Sequence, residues 1–597
     1  MDLAGIARSP EFVRDGGTPF FAWLHSDDAA PATDCVAVLC PPIGSEYTRS
    51  HRSIRHLADR LARAGVPALR FDYHGTGDSP GTDVDPARVS TWIGNIVAAA
   101  RAARERSGRS RVVLVGVRLG ATLAALASER VDPELLVLWN APVKGRPYVR
   151  EMQAIARLAA FESDADGALE AAGFVLTAET LADLRHIDLL QAPLRARRVL
   201  FVARDDLGAD GSLAAKLDAD GIANDLVVAS GWGGMMADHQ NTVVPEAALA
   251  SIVEWVSRHA PPGKSETAAA SLHPPQPGSD VLALEVDDEG QPARVEEVLC
   301  HFGDRGQLFG VLSRTDQRPT RPAIVLFNGG AVHHVGPNRL YVTLARSLAA
   351  MGFACLRFDL EGIGDSVLRR PGRENHPYPA HATADAKAAL SYLRERFGYR
   401  RFIAVGLCSG AHTAFHSALQ LEAEDIDEVV LINPYAFYYK EGMSLDVVNR
   451  LADTQQYKKS MRDPARWLKL LRGNVNLRRL LGVALRYPTT LGRSYLLALA
   501  EAFAPQFARP LARDLGRLFQ KQRKVTVLLA EGEPGGAIIM ADAKHTARRG
   551  VRAGFMRLET IAGGDHTFTP SRARQALVDR VLAHLKPWLA KRELVPR

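Results

Sequence analysis

The chain has 597 residues, 47% of them hydrophobic and 24% charged, with a formal net charge of +7. That length exceeds one ordinary core and implies two to four domains, and the composition excludes a disordered or collagen-like chain. The opening, MDLAGIARSPEFVRDGG, lacks a basic segment followed by an apolar core, and no run of about 18 apolar residues occurs, so a cytoplasmic protein with no transmembrane segment is expected.

The five cysteines (Cys35, Cys40, Cys300, Cys355, Cys408) follow no metal-ligand spacing and are too few for a disulfide scaffold. No metal and no cofactor are expected.

Along the chain, the first predicted elements are a buried strand at Cys35–Cys40, a turn through Pro41 and Gly44, a helix from Ile54 to Ala64 and a strand from Pro67 to Phe71. That strand runs into Asp72-Tyr73-His74-Gly75-Thr76-Gly77-Asp78-Ser79. A strand at Arg111–Val115 then leads to Gly116-Val117-Arg118-Leu119-Gly120-Ala121. Further strands are expected at Leu135–Asn140 and Arg198–Ala203, followed by Asp205, Asp206, His239 and a closing amphipathic helix from Ala247 to His259.

The stretch 261–280 is rich in Pro, Ser, Ala and Gly without periodicity, as a linker is. After it the pattern returns: a strand at Ala323–Phe327, the loop Asn328-Gly329-Gly330-Ala331, a helix from Tyr341 to Met351, and Ala354–Phe358 leading into Asp359-Leu360-Glu361-Gly362-Ile363-Gly364-Asp365-Ser366. Cys40 to Asp72 is 32 positions, and so is Phe327 to Asp359. A repeat unit of this size is a duplicated domain rather than a short-period array. We therefore expect an α/β protein of two tandem modules, 1–260 and 281–597, each a mostly parallel sheet flanked by helices.

The second module's turn reads Gly406-Leu407-Cys408-Ser409-Gly410-Ala411, between a strand and a helix. A sharp turn of this kind strains its central residue and needs small residues two positions either side, which Gly406 and Gly410 are. A thiol there sits above a helix N-terminus, whose dipole favours the attacking thiolate. A buried, inert cysteine in a turn is the plainer alternative. In the first module Arg118 holds the same slot, and a guanidinium has no lone pair with which to attack. It is expected either in a salt bridge with Asp205 or Asp206, or in an anion-binding site with Asp206 and His239 beside it.

Downstream of Cys408 come a strand ending in Asn433, a strand at Val525–Ala530, the segment Glu531-Gly532-Glu533-Pro534-Gly535, and His566. Asp206 to His239 is 33 positions and Glu533 to His566 is also 33. This register selects Glu533 as the counterpart of Asp206, with Glu531 as the alternative acid. Taken singly, Glu533 would be a solvated turn charge and His566 a loop histidine. His333, His334, His412 and His416 are further candidates for lining a pocket.

Roughly ninety residues separate Asn433 from Val525, against under sixty in the first module. Between Lys440 and Lys524, 18 Lys and Arg stand against 6 Asp and Glu, a surplus of 12 in a chain whose whole surplus is 7. A basic helical lid over about 434–524 is expected. It would suit an acyl substrate carried on an anionic handle such as coenzyme A, an acidic acyl carrier protein or a phospholipid, the last by peripheral membrane contact. A solvated helix face is the plainer alternative. No nucleic-acid motif accompanies the charge.

Turn after a strand, then acid, then histidine, twice over, resembles the α/β-hydrolase superfamily. More narrowly, the GxRxGA and GxCxGA turns resemble the two hydrolase types associated with bacterial exosortase gene clusters, fused end to end. The resemblance implies Cys408 as nucleophile, His566 as base and Glu533 as its orienting acid, with backbone N–H groups of Ser409, Gly330 and Ala331 as oxyanion donors. The implied activity is acyl transfer, as a thioesterase or esterase-type hydrolase or an acyltransferase. A non-catalytic acyl- or partner-binding scaffold of two degenerate modules is the alternative.

Overall fold

The structure is a computed structural model that describes residues 5–14, 17–31, 33–158, 167–208, 210–263, 273–275, 277–288, 290–315, 321–369, 372–421, 426–440 and 509–589. Residues 441–508, the bulk of the stretch expected to form a lid, lie outside the described residues, as do 264–272 and 276 of the expected linker. Two compact units are present, the first made mainly of residues 1–300 and the second mainly of residues 301–597.

Two mostly parallel sheets carry the fold. The first takes its strands from β1 (Ala7–Val13), β2 (Phe20–Ser26), β3 (Cys35–Cys40), β4 (Ala68–Phe71), β5 (Arg111–Val117) and β6 (Leu135–Trp139). After a small separate hairpin of β7 (Leu169–Ala171) and β8 (Phe174–Leu176), β9 (Arg198–Arg204) and β10 (Ala223–Ala229) complete it. Its order is β1-β2-β4-β3-β5-β6-β9-β10, antiparallel at β1, β2 and β4 and parallel from β4 onward.

The second sheet contains β11 (Val281–Asp288), β12 (Gln291–Phe302), β13 (Leu308–Arg314), β14 (Ala323–Phe327), β15 (Cys355–Phe358), β16 (Phe402–Leu407), β17 (Ile426–Ile432), β18 (Lys524–Ala530) and β19 (Met556–Ile561). Its order is β11-β12-β13-β15-β14-β16-β17-β18-β19, so β15-β14-β16-β17-β18-β19 repeats the crossover pattern of β4-β3-β5-β6-β9-β10. The duplication seen in sequence spacing is thus a duplication of topology.

Helices cover both faces of the first sheet, and the period-2 alternation of its strands shows which residues go where. Val36, Val38 and Cys40 of β3 and Val112 and Leu114 of β5 join Trp92, Ile96 and Leu123 in one core. Their neighbours Cys35, Ala37, Leu39, Val113 and Val115 join Ile54, Leu57, Leu61, Ile252 and Trp255 in the other. Successive side chains of a strand point to opposite faces, so strands buried on both sides read as continuous apolar runs.

The duplicated Asp…Gly-x-Gly-Asp-Ser string is architectural in both copies. Asp72 accepts the Asp78 N–H at 2.9 Å, and Asp359 accepts the Asp365 N–H at 2.9 Å. Ser79 donates to the Asp72 carbonyl and accepts from the Phe21 N–H, while Ser366 donates to the Asp359 carbonyl and accepts from the Phe309 N–H. Each copy thereby ties the end of a parallel strand to the neighbouring antiparallel one, satisfying buried backbone groups that the strand's end would leave exposed. Among the described residues, His334, Asp359 and Asp365 offer three ligand atoms within 4.8 Å of one another. The Asp359 oxygens are already taken by Asn328 Nδ2, the Asp365 N–H and the His334 ring, which makes the cluster part of the same turn.

Candidate active site

Cys408 stands between β16 and the helix Ser409–Gln420, with φ 57° and ψ −114°. A β-carbon on Gly406 would collide with the backbone of Gly410, and one on Gly410 with the carbonyls of Phe327 and Asn328. Only glycine fits at either place, so the backbone is forced through the left-handed region at the residue between them. Such a conformation is sparsely populated for a residue with a side chain. Among the described residues Cys408 is the one cysteine that is not buried. Burial pushes the thiol of Cys35 up to about 12 and that of Cys40 higher still, which makes both inert.

His566 lies in the loop after β19. Its Nδ1 is 2.9 Å from Glu533 Oε2, and the ring also hydrogen-bonds to Cys408. Burial works against a charge on the imidazole, but the hydrogen bonds and negative charges of Cys408 and Glu533 outweigh it and raise the ring's pKa to about 10. Glu533 occupies the N-cap of the helix Pro534–Asp542 without capping it, so its carboxylate is turned to the histidine instead. Glu531, the other acid considered, is exposed.

Two residues that spacing did not single out for the site hold this arrangement. Asn433, at the end of β17 with φ 43°, accepts the Ala530 N–H at 2.7 Å and donates to the His566 carbonyl at 2.8 Å. One side chain thus ties the end of β18 to the histidine loop. Tyr435 sets its ring edge-on to the His566 ring at 5.3 Å. An asparagine closing each of two equivalent strands was visible in the sequence, but its partners were not.

The loop expected to supply oxyanion donors is engaged differently from expectation at one position. The Gly330 N–H donates to Ser409 Oγ at 3.0 Å, so it is spent on a side chain and is not turned to a substrate. The same bond holds the buried Ser409 hydroxyl in place against the loop. Ala331 is buried in the same loop.

Of the candidate lining histidines, His333 and His334 are buried, the latter in the turn around Asp359. His416 Nε2 is 2.7 Å from the Phe437 carbonyl. Burial, aided by the neighbouring His416, lowers His412 to about 3, and its ring meets Tyr378 edge-on at 5.3 Å.

The first unit repeats the turn with an arginine at its apex. Arg118 has φ 53° and ψ −126°, between β5 and the helix Leu119–Val131. Its partners are not Asp205 or Asp206, as the sequence suggested, but Glu46 and Glu151, at 2.8 and 2.6 Å, with the Tyr148 ring beneath at 5.6 Å. Burial opposes its charge, yet the two carboxylates more than compensate and hold its pKa above the ordinary arginine value. Asp206 is exposed, with both oxygens accepting from Arg204. His239 is lowered to about 4 by burial and by the nearby Arg49, against a smaller opposing effect of Asp238. Arg118, Asp206 and His239 therefore do not form the anion site expected of them, because Glu46 and Glu151 already match the Arg118 charge.

The family model described as serine aminopeptidase, S33, matches residues 45–165 and 318–472, one segment in each half of the chain. No curated protein matches. Solved structures similar to this chain include Est1E from Butyrivibrio proteoclasticus with ferulic acid bound, 19% identical, covering 41% of this chain and 99% of that one with a TM-score of 0.32. XC6422 from Xanthomonas campestris, described as a serine hydrolase without a lid, is 15% identical, with 44% and 98% covered and a TM-score of 0.28. A putative dienelactone hydrolase from Klebsiella pneumoniae is 16% identical, with 42% and 97% covered and a TM-score of 0.28. With a matched segment in each half and the same crossover order in both sheets, the chain carries two modules of α/β-hydrolase fold, each similar to that family.

Proposed function

We propose that the second module is an acyl-transfer enzyme in which Cys408 forms a thioester, His566 carries the proton and Glu533 orients the ring. The observation that supports it is the placement of one histidine between Glu533, 2.9 Å from its Nδ1, and the thiol at the apex of the turn. An imidazolium that persists to about pH 10 is the counter-ion a thiolate needs.

Sγ attacks the acyl carbon, the bond from that carbon to the leaving group breaks, and the His566 imidazolium gives its proton to the leaving group. Water, an amine or a thiol then attacks the thioester, passes its proton to the now neutral ring and returns the bonding electrons to the Cys408 sulfur. Thioesters react readily with amines and thiols, so transfer competes with hydrolysis. The positive surplus of residues 440–524 suits an acyl donor on coenzyme A or an acidic carrier protein. The first module, with Arg118 between two glutamates, is read as non-catalytic.

Intact-mass analysis after incubation with p-nitrophenyl acetate or acetyl-coenzyme A tests this reading. A single acyl group is expected on the wild type and none on Cys408→Ala, with acylation of His566→Ala slower by a factor of about 10². An adduct that survives Cys408→Ala, or no adduct on the wild type with either donor, would overturn it.

A further inference from the structure

Besides His566, a second polar group faces the Cys408 sulfur. Tyr378 lies between the predicted Asp…Ser turn and the helix Ala382–Phe397, in irregular backbone where no periodicity marks a residue. The residue is 9% exposed. The ring is stacked on Tyr439 at 4.4 Å with an interplanar angle of 12°, and it meets His412 edge-on at 5.3 Å, so the phenol is fixed from two sides. Its hydroxyl is buried and finds no nitrogen or oxygen partner among the described residues. What it faces, within hydrogen-bonding reach, is the Cys408 sulfur.

A buried hydroxyl without an oxygen or nitrogen partner costs about 1–3 kcal/mol, and native structures rarely keep one without a use. The Gly330 N–H, one of the three backbone donors considered for an oxyanion, is already given to Ser409 Oγ. One of the candidate backbone donors is thus engaged elsewhere, and a phenol with no nitrogen or oxygen partner among the described residues stands beside the Cys408 sulfur.

We propose that Tyr378 is a catalytic residue whose hydroxyl donates a hydrogen bond to the substrate oxygen that becomes negative when Cys408 attacks, an inference that rests on the acyl-transfer role of Cys408. No proton is transferred: the hydroxyl keeps its hydrogen while the carbonyl π electrons move to oxygen and return when the leaving group departs. Burial, then the negative charge of Cys408 and the neighbouring phenols, push the Tyr378 pKa up, so the group is a donor throughout the working pH range. A preorganised donor of this kind contributes roughly 10²–10³ in rate, because it meets the charge in a site from which water is excluded.

The test compares two reactions of the same sulfur in the full-length chain. Alkylation by iodoacetamide displaces iodide at a saturated carbon and builds no oxyanion, whereas acylation by p-nitrophenyl acetate does. Tyr378→Phe keeps the ring and both of its ring contacts, and it removes a buried hydroxyl that has no nitrogen or oxygen partner among the described residues, so folding is expected to be about as stable as in the wild type. Acylation of Tyr378→Phe is expected to fall by about 10²-fold with alkylation within twofold of wild type. Acylation unchanged in Tyr378→Phe, or acylation and alkylation falling together, would overturn the role of Tyr378 while leaving Cys408 as nucleophile. Failure of the wild type to acylate would instead remove the acyl-transfer reading itself.

Discussion

Asn433 and His566, 133 residues apart in the chain, are joined by a 2.8 Å hydrogen bond from the side-chain amide of the first to the backbone carbonyl of the second. The same asparagine accepts the Ala530 N–H, so one fully buried side chain sets the distance between the end of β18, which leads to Glu533, and the loop that carries His566. Its counterpart in the first unit, Asn140, also takes a positive φ, of 50°, but its Nδ2 is buried without a partner. The clamp is present where the histidine meets an acid and missing where it does not.

Asn433→Ala should therefore cost about 1–3 kcal/mol of stability, the penalty for leaving the Ala530 N–H and the His566 carbonyl unpaired in the interior. It should also slow Cys408 acylation by loosening the Glu533–His566 pair. Urea unfolding and acylation kinetics on the same variant check both effects. A variant as stable and as fast as wild type would mean that the loop holds itself.

The raised pKa of His566 carries a sign. A group whose folded value lies above its unfolded value stabilises the fold fully below the unfolded value, here 6.5, and loses that contribution as pH rises through the folded value, here about 10. Wild type should lose its stability advantage over His566→Gln between about pH 6.5 and pH 10, and the two should converge above that. Equilibrium unfolding at intervals across this window checks it; an advantage that grew with pH would place the proton elsewhere.

Arg118→Ser is expected to destabilise the first unit by about 2 kcal/mol, because it strands the Glu46 carboxylate, which burial already pushes up, without its cation. It is not expected to create a second reactive centre. Asp206 faces Arg204 at the surface, so a hydroxyl at 118 would find no acid-supported base. Thermal melting and active-site titration with p-nitrophenyl acetate read the two effects separately.

The fold was legible in the sequence because its signals are local or periodic: continuous apolar runs for strands buried on both faces, glycines flanking each turn, and a duplicated Asp-to-Ser string. Glu533 and His566 were legible because the 33-position spacing repeats that of Asp206 and His239, a register that survives even though only one of the two pairs is in contact. What was not legible depends on side chains that meet across the chain. Glu46 comes from the helix Ser45–Arg63 and Glu151 from the helix Gly145–Leu158, and nothing in the spacing around Arg118 points to either. Tyr378 lies in a segment without periodicity, and the hydrogen bond from Gly330 to Ser409 Oγ depends on how closely a loop approaches a helix.

The backbone at Arg118, φ 53° and ψ −126°, is nearly that at Cys408, φ 57° and ψ −114°. Holding a residue with a β-carbon in such a region costs on the order of 1–3 kcal/mol, and the chain bears that cost at both turns although only one presents an atom able to attack. The conformation is imposed by tightly packed glycines and by the strand-to-helix crossing, whatever sits at the apex. Turn geometry is accordingly blind to what it carries: a survey that looked only for the shape of this bend would count the Arg118 and Cys408 turns as equals, although one presents a guanidinium and the other a thiol.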